Sequence, residues 1–415
     1  MVAPVHLRKD ALNSTPGFDA SSQPASGDEP DAGDELHPPS GQSGAVDDEQ
    51  LVFSTDPDLD APPVRVDLFG AVIEPEPIEA KPAKAPSPRA RSRGGVLPAL
   101  AAPELHALAE HLPATVHIGT STWSFPGWRD IVYGDDYSSA KLSRDGLNAL
   151  GAHPLLRCVS IDRSFYGPLS VADYARYANQ VPAYFRFIVK APASVTDATI
   201  RGDKGAPAGD NPAFLDARIA IDEFVQPCMA GLGEKAGALV FQIPPLPDAL
   251  IVDPTAFLDR LSAFLNALPP LPGESCYAVE LRDAIMLTPR FIRVLRDAKV
   301  RYCVGIHARM PDPRRQAKAL ALLDEGGLGP LIVRWSLHGG FKYEQAKAKY
   351  EPFDKLVDED PDTHEALAEL AVRYALAGQP VVIAVNNKAE GSAPLTCFKI
   401  ARNLVAALTI WLGKK

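Results

Sequence analysis

The chain has little of several things. Its 415 residues include only five cysteines, Cys158, Cys228, Cys276, Cys303 and Cys397, and none stands near another. Without a CxxC pair the spacing of a structural zinc site is missing. Single cysteines in apolar runs read as small core residues of a reducing compartment. No uninterrupted apolar stretch is long enough to span a bilayer, and the segment after Met1 has no apolar leader core. No membrane contact and a cytoplasmic location are therefore expected. A basic excess is also missing: 42 Lys and Arg stand against 52 Asp and Glu, a net charge of −10. Overall charge thus gives no case for nucleic acid as a partner, although a local basic patch is left open.

Proline is abundant instead. Many of the 40 prolines precede Leu100, among Ser, Gly, Asp and Ala, and this first hundred holds 17 acidic and 8 basic residues. Apolar residues there are too sparse to offset the entropy of ordering, so residues 1–97 are expected to be a disordered acidic tail ahead of a domain at 98–415. A basic stretch, Lys81, Lys84, Arg89, Arg91 and Arg93, closes the tail and reads as a solvated linker. Two apolar islets interrupt it, Leu51-Val52-Phe53 and Val64 to Phe69.

From Glu104 a helical pattern (Leu105, Leu108, Ala109, Leu112) runs to Pro113, and short apolar runs then recur. They begin at His117, Arg157, Phe185, Gly237, Tyr277, Arg301, Leu331 and Val381, which makes eight. Each is continuously apolar and rich in β-branched or aromatic residues, as parallel strands covered on both faces are. Helical patterns lie between them, at Val171–Asn179, Phe214–Met229, Pro254–Leu268, Thr288–Ala298, Glu365–Leu376 and Pro394–Leu412. Thr288 followed by Pro289 is an N-cap with proline at the first helical position. Eight alternations without two consecutive strands predict a (β/α)8 TIM barrel. The rival, an open doubly wound sheet, normally has a glycine-rich turn after its first strand, where this chain has Gly119-Thr120-Ser121-Thr122-Trp123.

Barrel sites lie at the C-terminal strand ends. In chain order those ends deliver Ser121, Trp123 and Trp128, then Asp162, Ser164 and Tyr166, then Lys190 and Gln242. Glu280, Arg282 and Asp283 follow, then His307, Arg334, Trp335, His338, Asn386 and Asn387, whereas the opposite ends carry mostly Pro, Gly and ordinary polar residues. Glu280 and Arg282, two apart, point the same way and make either an acid/base group held ionised by its partner or a structural ion pair. Lys190 is a candidate anion binder, base or amine nucleophile, with pairing to Glu280 or Asp162 as the structural alternative. Catalytic roles are thus expected among Glu280, Arg282, Lys190 and Asp162. Trp123, Tyr166 and Trp128 could form an aromatic wall or simply cap the barrel. Gln242, Arg334, His338, Asn386 and Asn387 read as polar binding residues. His307 and His338 have no metal-site spacing, so no metal is expected, and no cofactor is assigned. Two long loops, Ala193–Asn211 and Leu337–Pro361, are lid candidates; the second carries Lys342, Lys347 and Lys349 and could contact an anion or be a solvated helix through Tyr343–Tyr350.

The run Ile118 to Trp128 (IGTSTWSFPGW) resembles the opening signature of the YecE-like family, domain of unknown function 72. Ser164-Phe165-Tyr166, Phe185 to Pro192, Leu239 to Pro245, Ala278 to Arg282 and Val385 to Asn387 match its later motifs in order. The resemblance covers Val116 to Leu412. It implies a TIM barrel and supplies no reaction, because the family has no established activity. Three places depart from the family pattern. Ser160-Ile161-Asp162 stands where the family usually has Glu-Ile-Asn, Thr196-Asp197 where Thr-His is common, and Asp283 and Leu287 where a His and a Trp follow Glu-Leu-Arg.

The first functional expectation is an enzyme or binder for a small anionic molecule at the barrel mouth. A metal-assisted phosphodiester hydrolase, by fold analogy, and a non-catalytic protein that reaches partners through its tail are the alternatives. The islet Val64-Arg65-Val66-Asp67-Leu68-Phe69 is similar to the Asp-Leu-Phe peptides with which bacterial proteins dock on the replication sliding clamp, with Arg65 in place of the usual Gln. It is either an incidental islet or a motif that folds on binding. A synthetic peptide of residues 61–73 titrated with purified clamp decides between them: the docking reading expects saturable binding, and a flat titration removes it.

Overall fold

The computed structural model describes residues 95–202 and 206–413. Residues 1–94 of the predicted tail, with both of its islets, lie outside the described residues. The eight predicted strands are the eight barrel strands. They are β1 (Val116–Thr120), β2 (Cys158–Ile161), β3 (Arg186–Lys190), β6 (Ala236–Ile243), β7 (Cys276–Leu281), β8 (Arg301–Ile306), β9 (Leu331–Trp335) and β10 (Val381–Val385), with β4 (Thr199–Arg201) and β5 (Pro207–Asp210) forming a separate hairpin. The barrel closes in the order β1-β10-β9-β8-β7-β6-β3-β2, and every barrel pairing is parallel. The fold is a (β/α)8 TIM barrel.

The strands are apolar on both faces because each face has its own core. Outward residues such as Val159, Leu239, Phe241, Val304 and Val333 join the large core under the helices. Inward residues form a separate small cluster, Cys158, Ile188, Ala238, Val240, Ala278, Cys303, Ile332, Val382 and Ala384. Large β-branched residues usually fill a TIM barrel, but this cluster is rich in Ala and Cys. Gly119 and Gly305 fall at the same inward phase of their strands. A Cβ at Gly305 would come within 3.3 Å of Glu280 Cγ. The lower interior is therefore narrow-lined, and space above it is left for long side chains.

Side-chain caps set several helix starts. Thr288 accepts from the Phe291 amide as the sequence suggested, and Ser170 and Asp173 form a reciprocal capping box. The predicted helix from Phe214 instead begins at Ala217, because Leu215 takes a left-handed φ of 53° and Asp216 caps the Ile219 amide. It runs on through a π-helical turn, Ile221–Val225, to Leu232. Helices Ser139–Asp145, Leu147–Ala152 and Pro313–Asp324 complete the ring where no helix was read from sequence. Ala393–Leu412 is long and apolar enough to cross a membrane by length and composition, with a mean hydropathy of 1.4 in its most apolar window. It packs on β1 and helix Pro361–Leu376, burying Cys397, Ile400, Ala401, Leu404 and Leu408. Near the start of the described residues, Val96 is buried and the Leu97 carbonyl accepts from the Gly134 amide.

The described parts of both long loops carry secondary structure. Ala193–Thr196 is a helical turn leading into the β4–β5 hairpin, and Tyr343–Tyr350 is a helix. The latter is not merely solvated, since Ala346 and Tyr350 pack with Leu337 and Phe353 in a third small core.

Phe241 is fully buried between Phe224, Phe264 and Tyr277, with ring centroids 5.0–6.0 Å away. Phe241→Ala is expected to lower stability by about 3–5 kcal/mol through lost burial and an uncollapsed cavity, read as a lower urea midpoint at unchanged slope.

Candidate active site at the barrel mouth

Strand alternation places Asp162, Lys190, Gln242, Glu280, Arg282, Arg334, Ser336 and Asn386 at inward positions of the C-terminal ends, directly above the small apolar cluster. Arg334 is the centre. Its Nη1 donates to Glu280 Oε2 at 2.6 Å, and its Nη2 donates to both oxygens of Asp162 at 2.8 and 2.9 Å. One guanidinium on β9 thus ties β7 to the end of β2. Arg282 covers the other oxygen of Glu280, with Nη2 2.8 Å from Oε1. The hydrogens of that nitrogen are directed to Gln242 Oε1 and Ser336 Oγ, each at 3.0 Å. Its contact with Glu280 is accordingly an ion pair rather than an aligned hydrogen bond, which agrees with Oε1 having no hydrogen-bond partner.

The charges follow from this geometry. Burial alone would push the Glu280 carboxyl up, but Arg282, Arg334 and Lys190 outweigh it and hold the group below its usual value. Burial likewise opposes the charge on Arg334, and Asp162 and Glu280 more than restore it. Glu280 is 0% exposed, with both oxygens against arginines. Of the two arrangements open for Glu280 from the sequence, its contacts are those of a buried ion pair, a carboxylate held ionised by two guanidiniums. Asp162 keeps 35% of its side chain exposed and is the carboxylate that faces solvent.

Lys190 lies at the end of β3, 6% exposed, with its backbone carbonyl accepting from Ser164 Oγ at 2.6 Å. Its Nζ sits 3.3 Å from the centroid of the Phe165 ring. Burial pushes its pKa down to about 7; Arg334 and Arg282 act in the same direction, and Asp162 and Glu280 oppose them. His307, on the rim after β8, is lowered to about 4 by burial and by Arg282, and is neutral at physiological pH.

Other expected residues lie apart from this cluster. The Trp123 indole donates to the Ser143 carbonyl, and its ring meets Tyr177 edge-on, so it packs under the helices. Trp128 is fully buried and donates to Asn387 Oδ1, which also accepts from the Ala393 amide. Asn387 therefore braces the start of the last helix. Of the proposed aromatic wall, Tyr166 alone reaches solvent, at 57% exposure beside Phe165. Asn386 remains at the mouth, donating to Ser121 Oγ. His338 Nδ1 faces the Gly339 carbonyl, and its backbone amide donates to the Lys388 carbonyl, joining two loops. Among the described residues no group of three His, Cys, Asp or Glu side chains could hold a metal. Sequence reasoning missed Ser160, Ser336, Gly305 and the buried Lys388, whose Nζ lies 4.0 Å from the Tyr343 ring centroid. The period-two phase of the strands would have found the first three.

The family described as a protein of unknown function, DUF72, matches residues 117–412. This chain belongs to the DUF72 family. Two solved DUF72 structures are similar to it. One, from Enterococcus faecalis V583, is 18% identical, covers 70% of this chain and 95% of its own, and has a TM-score of 0.47. The other, from Thermotoga maritima MSB8, is 17% identical, covers 69% and 97%, and has a TM-score of 0.45. No curated protein matches the chain.

Ser160, Asp162, Asp197 and Asp283, singled out in the sequence, have local structural roles. Ser160 Oγ donates to Asp162 Oδ1 at 2.7 Å, across the end of β2. Asp197 pairs with Arg201 and accepts from the Thr199 amide, closing the hairpin loop. Asp283 caps the turn Ala284–Met286.

Two outcomes follow. Arg334→Met leaves Asp162 without its guanidinium and Glu280 buried with Arg282 alone, and is expected to cost about 3–5 kcal/mol in urea unfolding. Lys190 titrates near pH 7 when folded and near 10.5 when unfolded, so between these values the unfolded chain binds more protons. Stability contributed at this position therefore rises with pH across that window. The wild type should gain stability relative to Lys190→Met from pH 7 towards 10.5, and a flat difference would refute the shifted lysine.

Proposed function

We propose that the barrel mouth binds a small anionic molecule and acts on it by proton transfer, with Lys190 and Asp162 as the proton-carrying groups. One observation carries this reading: the inward ring at the C-terminal strand ends holds three basic side chains, Lys190, Arg282 and Arg334, against two carboxylates, Asp162 and Glu280. Charged side chains gathered in a low-dielectric barrel act strongly on a bound charge.

Each group then has a role that its position supports. Glu280 fixes the two arginines. Arg334 orients Asp162 through both carboxylate oxygens. Asn386 and Gln242 supply polar edges that set ligand orientation. A lysine whose pKa is about 7 can take and return a proton at neutral pH.

Thermal unfolding of the full chain with a panel of small carboxylates and phosphate esters tests the reading. At least one anion should raise the melting temperature in a concentration-dependent way. The shift should fall in Lys190→Met and fall again with added salt. No shift from any member of the panel, or equal shifts in the variant, would overturn it.

A further inference from the structure

We infer that the β7–β8 side of the barrel mouth is a carboxylate subsite, where the Arg282 guanidinium and the Nε2–H of a neutral His307 hold the negative end of a small monocarboxylate. This rests on the reading of the mouth as a small-anion site and names the class of the anion and the side on which it sits.

Arg282 gives the first argument. It is 9% exposed at the end of β7, yet it leaves much of its donor capacity unspent. Both of its hydrogen bonds, to Gln242 Oε1 and Ser336 Oγ, leave from Nη2, and the same nitrogen makes the contact with Glu280. Among the described residues its buried Nε meets no acceptor, and Nη1 makes no hydrogen bond. A guanidinium donates from all of its nitrogens in a fixed plane. A buried donor left without an acceptor is costly, and its presence calls for a ligand or solvent that supplies one. Arg334 differs, because both of its terminal nitrogens are committed to Glu280 and Asp162.

His307 gives the second. It continues the inward phase of Cys303 and Gly305, so its side chain stands over the mouth. Arg282 and Glu280 both act on it electrostatically, which puts it beside the same guanidinium. The turn after β8 fixes its tautomer. The Arg309 amide donates to Nδ1 at 3.4 Å, and the Met310 amide donates to the His307 carbonyl. With Nδ1 accepting, the neutral ring carries its hydrogen on Nε2, and among the described residues that nitrogen has no hydrogen-bond partner. Burial and Arg282 lower its pKa to about 4, so at neutral pH it donates without adding charge.

The mouth is open to a ligand at this level. A side chain that points into a barrel meets solvent only where the barrel is open, and Asp162, His307, Ser336 and Asn386 are all half-buried rather than buried. The two carboxylates do not compete for the subsite: Glu280 is enclosed, and Asp162 is held by Arg334 at the end of β2. One guanidinium already shared with Glu280, joined by one neutral donor, suits the single charge and two oxygens of a carboxylate. A phosphate dianion asks for more positive charge.

Acetate is the probe, with inorganic phosphate as comparison, titrated into the full-length protein at neutral pH and fixed ionic strength. Ring-nitrogen NMR on histidine-labelled protein should show His307 as the Nε2–H tautomer, its signal assigned by its loss in His307→Leu. That Nε2 signal should move saturably with acetate. His307→Leu should weaken acetate binding about tenfold, as the loss of one hydrogen bond to a charged group does. His307→Gln, which restores a neutral donor, should recover most of the loss, and it supplies the assignment should the leucine variant fail to fold. An Nδ1–H tautomer, an Nε2 signal that acetate does not move, or tighter binding of phosphate than of acetate overturns the subsite. Thermal stabilisation by acetate on the same sample separates the two readings. Stabilisation without movement of His307 removes the subsite and leaves the anion site standing, and absence of both removes both.

Discussion

A single guanidinium reaches across the mouth of this barrel, and the arrangement around it depends on that reach. Arg334 binds Glu280 with one nitrogen and both oxygens of Asp162 with the other. A fully buried carboxylate is tolerable only when its charge is met, and Glu280 meets its requirement through Arg334 and Arg282 together. Arg282 is in turn fixed by Gln242 and Ser336. Side chains from β2, β6, β7 and β9, and from the turns just beyond them, are thus locked into one charged layer, and Lys190 on β3 takes its electrostatics from that layer.

The architecture was legible because its signals are local and repeated. Eight short apolar runs, each with its turn and helix, leave little freedom once parallel strands must be covered on both faces. One of the three helices without a readable sequence pattern shows what apolar spacing misses. Pro313–Asp324 turns Gln316 inward at 0% exposure, accepting from the Tyr302 hydroxyl and donating to the Gly305 and Pro311 carbonyls. A polar residue fills a position where apolar spacing would have been the signal, and its hydrogen bonds are long-range and unreadable from sequence.

The site was legible in its membership more than in its roles. Glu280, Arg282, Arg334, Asp162, Lys190 and Gln242 do converge, because strand ends and period-two phase bring them together. Which carboxylate is enclosed depends on where Arg334 from a distant strand lands, and residues 54 and 172 positions apart carry no spacing signal. The tryptophans were misplaced for a related reason. Trp123 and Trp128 follow a strand end, but their indole nitrogens find Ser143 and Asn387, and large rings with a satisfied N–H sink into the core.

Gly305 joins the small apolar cluster to the charged layer above it. The cluster mixes Ala and Cys with Ile188, Val240, Ile332 and Val382, and a Cβ added at Gly305 would stand 3.3 Å from Glu280 Cγ. A side chain placed there would push on the one carboxylate that both arginines grip, so the packing of the barrel interior and the geometry of the charged layer constrain each other.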